Sequence, residues 1–205
     1  MSISSPKKSR RHTHISQKIK KLLYLFQSTE KQVAVFQERS GLHCLNGCGR
    51  CCDNPNIETT PAEMLPMAQK IWEEKTLDHW LGRLNDQGSS KICVFYAADP
   101  AVAGKGQCLQ YSLRPLVCRL YGFSARREKF GSLNLITCPL IKQDQATEVR
   151  AAQKRINAGV KAPVMQDVTF KLQSIEPGPQ NKTLPINEAF RKALDTIGLH
   201  HKLDQ

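Results

Sequence analysis

The sequence predicts a small α+β domain in which amphipathic helices flank short strands and Cys-rich loops, with bound metal holding it together. Three observations lead there. Apolar residues recur at helical spacing after Ile15 and again after Pro61. Short runs between Ile92 and Thr137 have strand composition. Eight cysteines punctuate the chain, four of them between Cys44 and Cys52. With 205 residues, 40% hydrophobic and only 6% aromatic, the core is lean, and a metal cross-link would add to it.

Ile15, Ile19, Leu22, Phe26, Val33 and Phe36 mark one face of a helix running to about Arg39, where Gly41 supplies a stop. Residues 43–58 form a Cys-, Gly- and Asn-rich loop without periodicity. Thr60-Pro61-Ala62-Glu63 reads as a capping box with Pro at the first helical position. The helix it opens runs in one or two pieces to Leu84, with Pro66 early enough to be tolerated. After a polar turn, Ile92–Ala97 is a candidate strand, and residues 98–106, with Pro100, Gly104 and Gly106, form a hairpin-type loop. Residues 107–124 give a short strand, a helical turn over Arg114–Leu120 and a loop; Leu133–Thr137 is another strand. Beyond 142 come a polar helix (Gln145–Val160), a Pro-rich linker (174–185) and a short helix from Asn187 to Ile197, stopped by Gly198. The expected organisation is a disordered basic arm (1–14), a cysteine-cluster metal-binding domain (15–142) and a C-terminal appendage (143–205).

The net charge of +12 is concentrated at one end. Residues 1–21 hold seven Lys or Arg and no acid, whereas residues 22–141 hold 13 basic and 11 acidic side chains. Such an arm can bind nucleic acid or another anionic surface by counterion release, although no aromatic is interleaved with its charges. The longest obvious apolar run, Leu22–Phe26, has five residues against the roughly 20 needed to span a bilayer, so no membrane span is expected. The N-terminus lacks the apolar stretch of a secretory signal, which points to the reducing cytoplasm and to cysteines that act as metal ligands rather than disulfides.

Cys44, Cys48, Cys51 and Cys52 lie within nine residues, with Gly47 and Gly49 on either side of Cys48. Glycine lets the backbone wrap tightly enough for several thiolates to converge on one centre, as zinc and iron–sulfur sites both require. Cys93, Cys108, Cys118 and Cys138 could form a second set of four or join one larger cluster; Arg119 beside Cys118 favours the ligating thiolate. Adjacent residues in extended backbone point to opposite sides. Cys51 and Cys52 are therefore expected to serve different partners, one with Cys48 and the other across in the Cys93–Cys138 half. Pro115 directs Arg114 away from helical geometry and sets the approach to Cys118, and Arg114 and Arg119 would offset the charge of a multi-thiolate centre. His43 adjoins Cys44 and could ligate or cap; His79, His200 and His201 suggest no competing site.

The segments Cys48-Gly-Arg-Cys-Cys52, Thr60-Pro-Ala-Glu63, Cys93-Val-Phe-Tyr96 and Gly106-Gln-Cys-Leu-Gln-Tyr-Ser-Leu-Arg-Pro-Leu-Val-Cys-Arg-Leu-Tyr-Gly122 together resemble the bacterial cysteine-cluster family (CxxCxxCC, YkgJ-type), described as a zinc- or iron-chelating domain. The resemblance covers about residues 40–140. It implies that Cys48, Cys51, Cys52, Cys93, Cys108 and Cys118 are ligands, with Cys138 the last. The first spacing departs from the family's Cys-x2-Cys, being Cys44-x3-Cys48.

The function expected is a cytoplasmic metal-binding protein holding an iron–sulfur cluster or a zinc ion. Two alternatives stand beside it. One is an iron-dependent oxidoreductase or modifying enzyme with Tyr111, Arg114, Arg119 and Tyr121 lining its pocket. The other is a zinc-stabilised nucleic-acid binder using residues 1–21. No nucleophile triad or catalytic base is visible, and Gly104-Lys105-Gly106 is too short for a phosphate loop.

Overall fold

Helix α1 (Arg10–Ser40) is the longest element of the computed structural model, which describes residues 10–88, 90–178 and 181–203. Its buried face carries Leu22, Phe26, Val33 and Phe36 of the stripe read from the sequence, with Leu25 added and Ile15 and Ile19 only partly buried, and it ends where Gly41 takes a φ of +76°. The helix begins earlier than expected. Residues 10–14, read as disordered, are its first turn, because a helix docked by its core face extends at one added hydrogen bond per residue. Residues 1–9 of the expected arm lie outside the described residues.

A four-residue helix, α2 (Arg50–Asp53), interrupts the cysteine loop, and β1 (Glu58–Thr59) leads to α3 (Pro61–Glu73) and α4 (Leu77–Asp86). The Thr60–Glu63 capping box is formed from both sides. The chain turns between α3 and α4 at Lys75, whose φ is +57°. Next come β2 (Tyr96–Ala98), β3 (Gly106–Cys108), a 3-10 turn at Tyr111–Leu113, α5 (Leu116–Leu120), β4 (Ser124–Arg127) and β5 (Leu133–Ile136). The strand expected over 92–97 starts only at Tyr96. Upstream of it, the Cys93 N–H donates to the Cys52 carbonyl (3.1 Å) and the Val94 N–H to Asn187 Oδ1 (2.9 Å), so tertiary partners replace a ladder.

The chain closes with α6 (Pro139–Asp144), α7 (Ala146–Asn157), α8 (Met165–Ile175), β6 (Leu184–Pro185) and α9 (Ile186–Leu203). Among the described residues the strands pair in twos, all antiparallel: β1 with β6, β2 with β3 and β4 with β5, with one isolated parallel bridge from Ala125 to Val164.

The C-terminal segment is not the appendage its composition suggests. Helix α9 lies along α3 and buries Ile186, Ala189, Phe190, Ala193, Leu194 and Ile197 in the same core as Met64, Met67, Ala68 and Ile71. Nor does Gly198 stop it. A Cβ at that position would touch the Trp72 ring at 3.4 Å, so this glycine lets α9 lie close to α3, and the Trp72 ring stacks on His201 one turn later. Among the described residues no helix is long and apolar enough to cross a membrane.

Candidate metal centre

The eight cysteines are carried by five separate pieces of chain. The first loop is tied to the β2–β3 hairpin by the Gly106 N–H, which donates to the Gly47 carbonyl (3.1 Å). Gly49 lies so close to the hairpin that an added Cβ would collide with the Tyr96 ring and stand 3.0 Å from the Gly106 carbonyl carbon. The Gly49 carbonyl accepts from the Cys52 N–H (2.8 Å) and the Asp53 N–H (3.1 Å), which starts α2. Cys51 and Cys52 therefore occupy one helical turn, not the extended backbone that would send them to opposite sides. Cys93 lies against Cys52 through the backbone bond given above. Cys108 sits opposite Tyr96 in the hairpin, Cys118 is buried in α5, and Cys138 caps α6, its sulfur accepting from the Ile141 N–H (3.4 Å).

Cys52, itself buried, is the meeting point of the thiols. Those of Cys108, Cys51 and Cys93 all hydrogen-bond with it, and with burial they raise its pKa. The same contacts act oppositely on its partners: donation from Cys52 lowers Cys51 to about 6, against the effect of burial, and lowers Cys108. Burial, then the nearness of Cys93, Cys51 and Cys108, raises Cys118. Cys44 is exposed as a residue, yet desolvation of its thiol and then the nearness of Cys48, Cys51 and Cys138 raise its pKa to about 11. Two neighbouring sets result. Cys52 meets Cys93 and Cys108, with Cys118 near both of those; Cys44 lies near Cys48 and Cys138; and Cys51 borders both sets. Among the described residues no group of three His, Cys, Asp or Glu side chains is arranged to hold a metal ion. Ligation would replace the shared protons, since metal binds the thiolate.

Polar side chains outside the cysteine loops hold these pieces in place. Asn187 of α9 accepts from the Val94 N–H and donates to the Ile92 carbonyl (2.8 Å), bracketing Cys93. Phe95 fixes the same segment by packing between Trp80 and Phe190, with ring centroids 4.8 and 4.7 Å away. Buried Gln145 clamps the backbone beside Cys44, accepting from the His43 N–H (3.1 Å) and donating to its carbonyl (2.7 Å). Buried Glu63 does more than close its capping box: its Oε1 accepts from the Leu116 N–H (3.0 Å) and so holds the start of α5, two residues before Cys118. The capping motif signalled Glu63; nothing in the sequence marked Asn187 or Gln145.

Arg114, Pro115 and Arg119 form a linked unit. Pro115 precedes α5, and Arg114 takes an extended ψ of 142°. The Arg114 guanidinium donates to Glu30 of α1 (2.8 Å), lies 3.8 Å from the centroid of the Tyr111 ring, and by its charge helps lower Cys51 and Cys108 and opposes the rise that burial imposes on Cys118. Buried Arg119 donates to the other Glu30 oxygen (2.6 Å) and to the Arg114 carbonyl (2.9 Å). Arg119 thus braces Arg114. The four side chains expected to line one pocket are divided. Tyr111 and Arg119 line an open groove of about 580 Å³ with Glu30, whereas Tyr121 lines a cavity of about 110 Å³ beside Cys138. His43 sends Nδ1 to the Gly41 carbonyl (3.3 Å).

The donor set fits a thiolate metal centre. All eight cysteines are free thiols, and buried Arg114 Nε, on the cation whose charge reaches three of them, has no hydrogen-bond partner among the described residues. An electron-rich centre beside that cation would be stabilised. Comparison with known proteins agrees on the chemistry. The CxxCxxCC family model, described as "Putative zinc- or iron-chelating domain", matches residues 43–150, more than half of the chain. No curated protein and no solved structure matches it.

Proposed function

We propose that this chain, which belongs to the CxxCxxCC family of zinc- or iron-chelating domains, holds an iron–sulfur cluster in the cytoplasm. The observation that carries the choice of metal is the number of thiols near one another: Cys51, Cys93 and Cys108 lie by Cys52, Cys118 lies near Cys93, Cys51 and Cys108, and Cys48, Cys51 and Cys138 lie near Cys44. A single zinc ion takes four ligands, while a polynuclear centre uses more donors and draws on the thiolate-rich class of site. Such a cluster would supply electron transfer or structural cross-linking. The chain's own part is to converge the thiols through α2, the hairpin and α5, and to place one guanidinium beside them. Eight unpaired thiols suit a reducing compartment.

Purification without oxygen, followed by iron, zinc and sulfide analysis and an absorption spectrum, tests the assignment. Iron and inorganic sulfide in comparable amounts, with a broad band near ~400 nm, are expected. A colourless protein with stoichiometric zinc would replace the cluster by a tetrahedral zinc site.

A further inference from the structure

Helices α1 and α8 enclose a second feature that stands apart from the thiols. Lys20, Lys21 and Tyr24 of α1 face Lys171 and Ser174 of α8 across an open groove of about 530 Å³, and among the described residues no acidic side chain lines it. Tyr24 leaves 75% of its surface exposed, and Phe170, which shares the Ser174 side of α8 by helical spacing, leaves 72%. Neither ring is spent on the core. Upstream, α1 continues through Lys18, which pairs with Glu176, to Arg11 and Arg10. The sequence shows the basic run without an aromatic inside it; the structure supplies the ring from the next turn of the same helix and a third lysine from a helix 150 residues away in the chain.

We propose that this groove binds single-stranded nucleic acid, with phosphates met by Lys20, Lys21 and Lys171 and a base stacked on Tyr24. Exposed aromatics between lysines are how sequence-tolerant single-strand sites are built: the cations follow the backbone and the ring takes any base. The groove favours this occupant over two others. A duplex keeps its bases stacked and would leave the Tyr24 ring unused. An anionic bilayer is met by the protruding apolar face of an amphipathic helix, whereas this ring and its cations line a concavity.

Fluorescence anisotropy with labelled oligo-dT and oligo-U of about 15 nucleotides, using the full metal-loaded chain, tests the proposal. Duplex of the same length and phosphatidylserine vesicles serve as competitors. Both oligonucleotides should bind, with log affinity falling against log salt at a slope of roughly −2 for three phosphate contacts. Lys171→Glu should weaken binding about tenfold or more, and Tyr24→Ala likewise, with melting temperature and metal content unchanged because both side chains are peripheral to the core. The proposal is overturned if neither oligonucleotide binds at low salt, if duplex or vesicles compete more strongly than single strands, or if Lys171→Glu binds as the wild type does. The last result, with binding lost on deleting residues 1–9, would assign the affinity to the basic terminus alone.

Discussion

In the helical layer of α1, α3 and α9, the side chains that hold the structure together are apolar and recur every three or four residues. In the cysteine-bearing segments 43–58 and 92–120, polar side chains from other elements add directional bonds: Glu30 from α1, Glu63 from α3, Gln145 from the start of α7 and Asn187 from α9. The first region is stabilised by removing surface from water, which tolerates small adjustments spread over many contacts. The second depends on a few directional bonds to buried backbone groups, each costly to leave unmade. A consequence is that the segment matched by the family model is not self-sufficient. Glu30 and Asn187 lie outside residues 43–150, yet one anchors Arg114 and the other brackets Cys93.

Removing a thiol from the meeting point should separate the regions most sharply. Cys52→Ser is expected to lose nearly all bound metal, while Cys44→Ser, at the exposed edge, keeps a substantial share. Metal per chain after anaerobic purification measures both, and equal losses would end the distinction between centre and edge. Hydrogen exchange on the Cys52→Ser protein, or after chelation under reducing conditions, should show protection falling in segments 43–58 and 92–120 more than in α3 and α9; uniform loss would mean that one cooperative unit depends on metal.

Arg114→Gln keeps a hydrogen-bonding side chain but removes the charge felt by Cys51, Cys108 and Cys118. Metal affinity should fall on the order of 10- to 100-fold with the helical core intact, as competition with a calibrated chelator would show. Glu30→Gln should follow in the same direction by releasing Arg114.

A methyl group placed in each region should give opposite results. Gly49→Ala drives a Cβ into Tyr96 and the Gly106 backbone and should cost about 1–3 kcal/mol, with metal lost as the first loop parts from the hairpin. Asn187→Ala leaves the Val94 N–H and the Ile92 carbonyl without their partner and should cost about 1–3 kcal/mol in urea unfolding. Gly198→Ala meets only the edge of Trp72 at 3.4 Å; the gain in helix propensity should leave stability within about 1 kcal/mol of wild type, or slightly above it. A Gly198→Ala protein less stable than Gly49→Ala would reverse the comparison.

Much of the helical layer, and the kinship with a zinc- or iron-chelating family, could be read from the residues alone. The periodic stripe of α1 and the Thr60–Glu63 box are local patterns, formed by residues within one or two turns of each other. The crowding of Cys44, Cys48, Cys51 and Cys52 is equally local, and it announced thiolate chemistry whatever the fold. Pro115 fixed the turn before α5 for the same reason: its ring restricts its own backbone and that of Arg114.

What only the tertiary structure decided is which distant pieces meet. Composition made residues 143–205 look detachable, because Pro and polar residues dominate 174–185 and the apolar stripe of α9 is short; nothing local says that this stripe faces α3. Gly198 is a helix stop by propensity, but close approach to Trp72 overrides it. The same limit applies at the site. Asn187 is an ordinary polar residue until α9 docks, and Cys51 and Cys52 would diverge had Gly49 not let the chain coil against Gly106. Residue types and spacing fixed the chemistry of this protein, since chemistry resides in side chains. Packing fixed the geometry, since the bonds that bracket Cys93 and hold α5 close only when residues 93 and 53 positions apart are brought together.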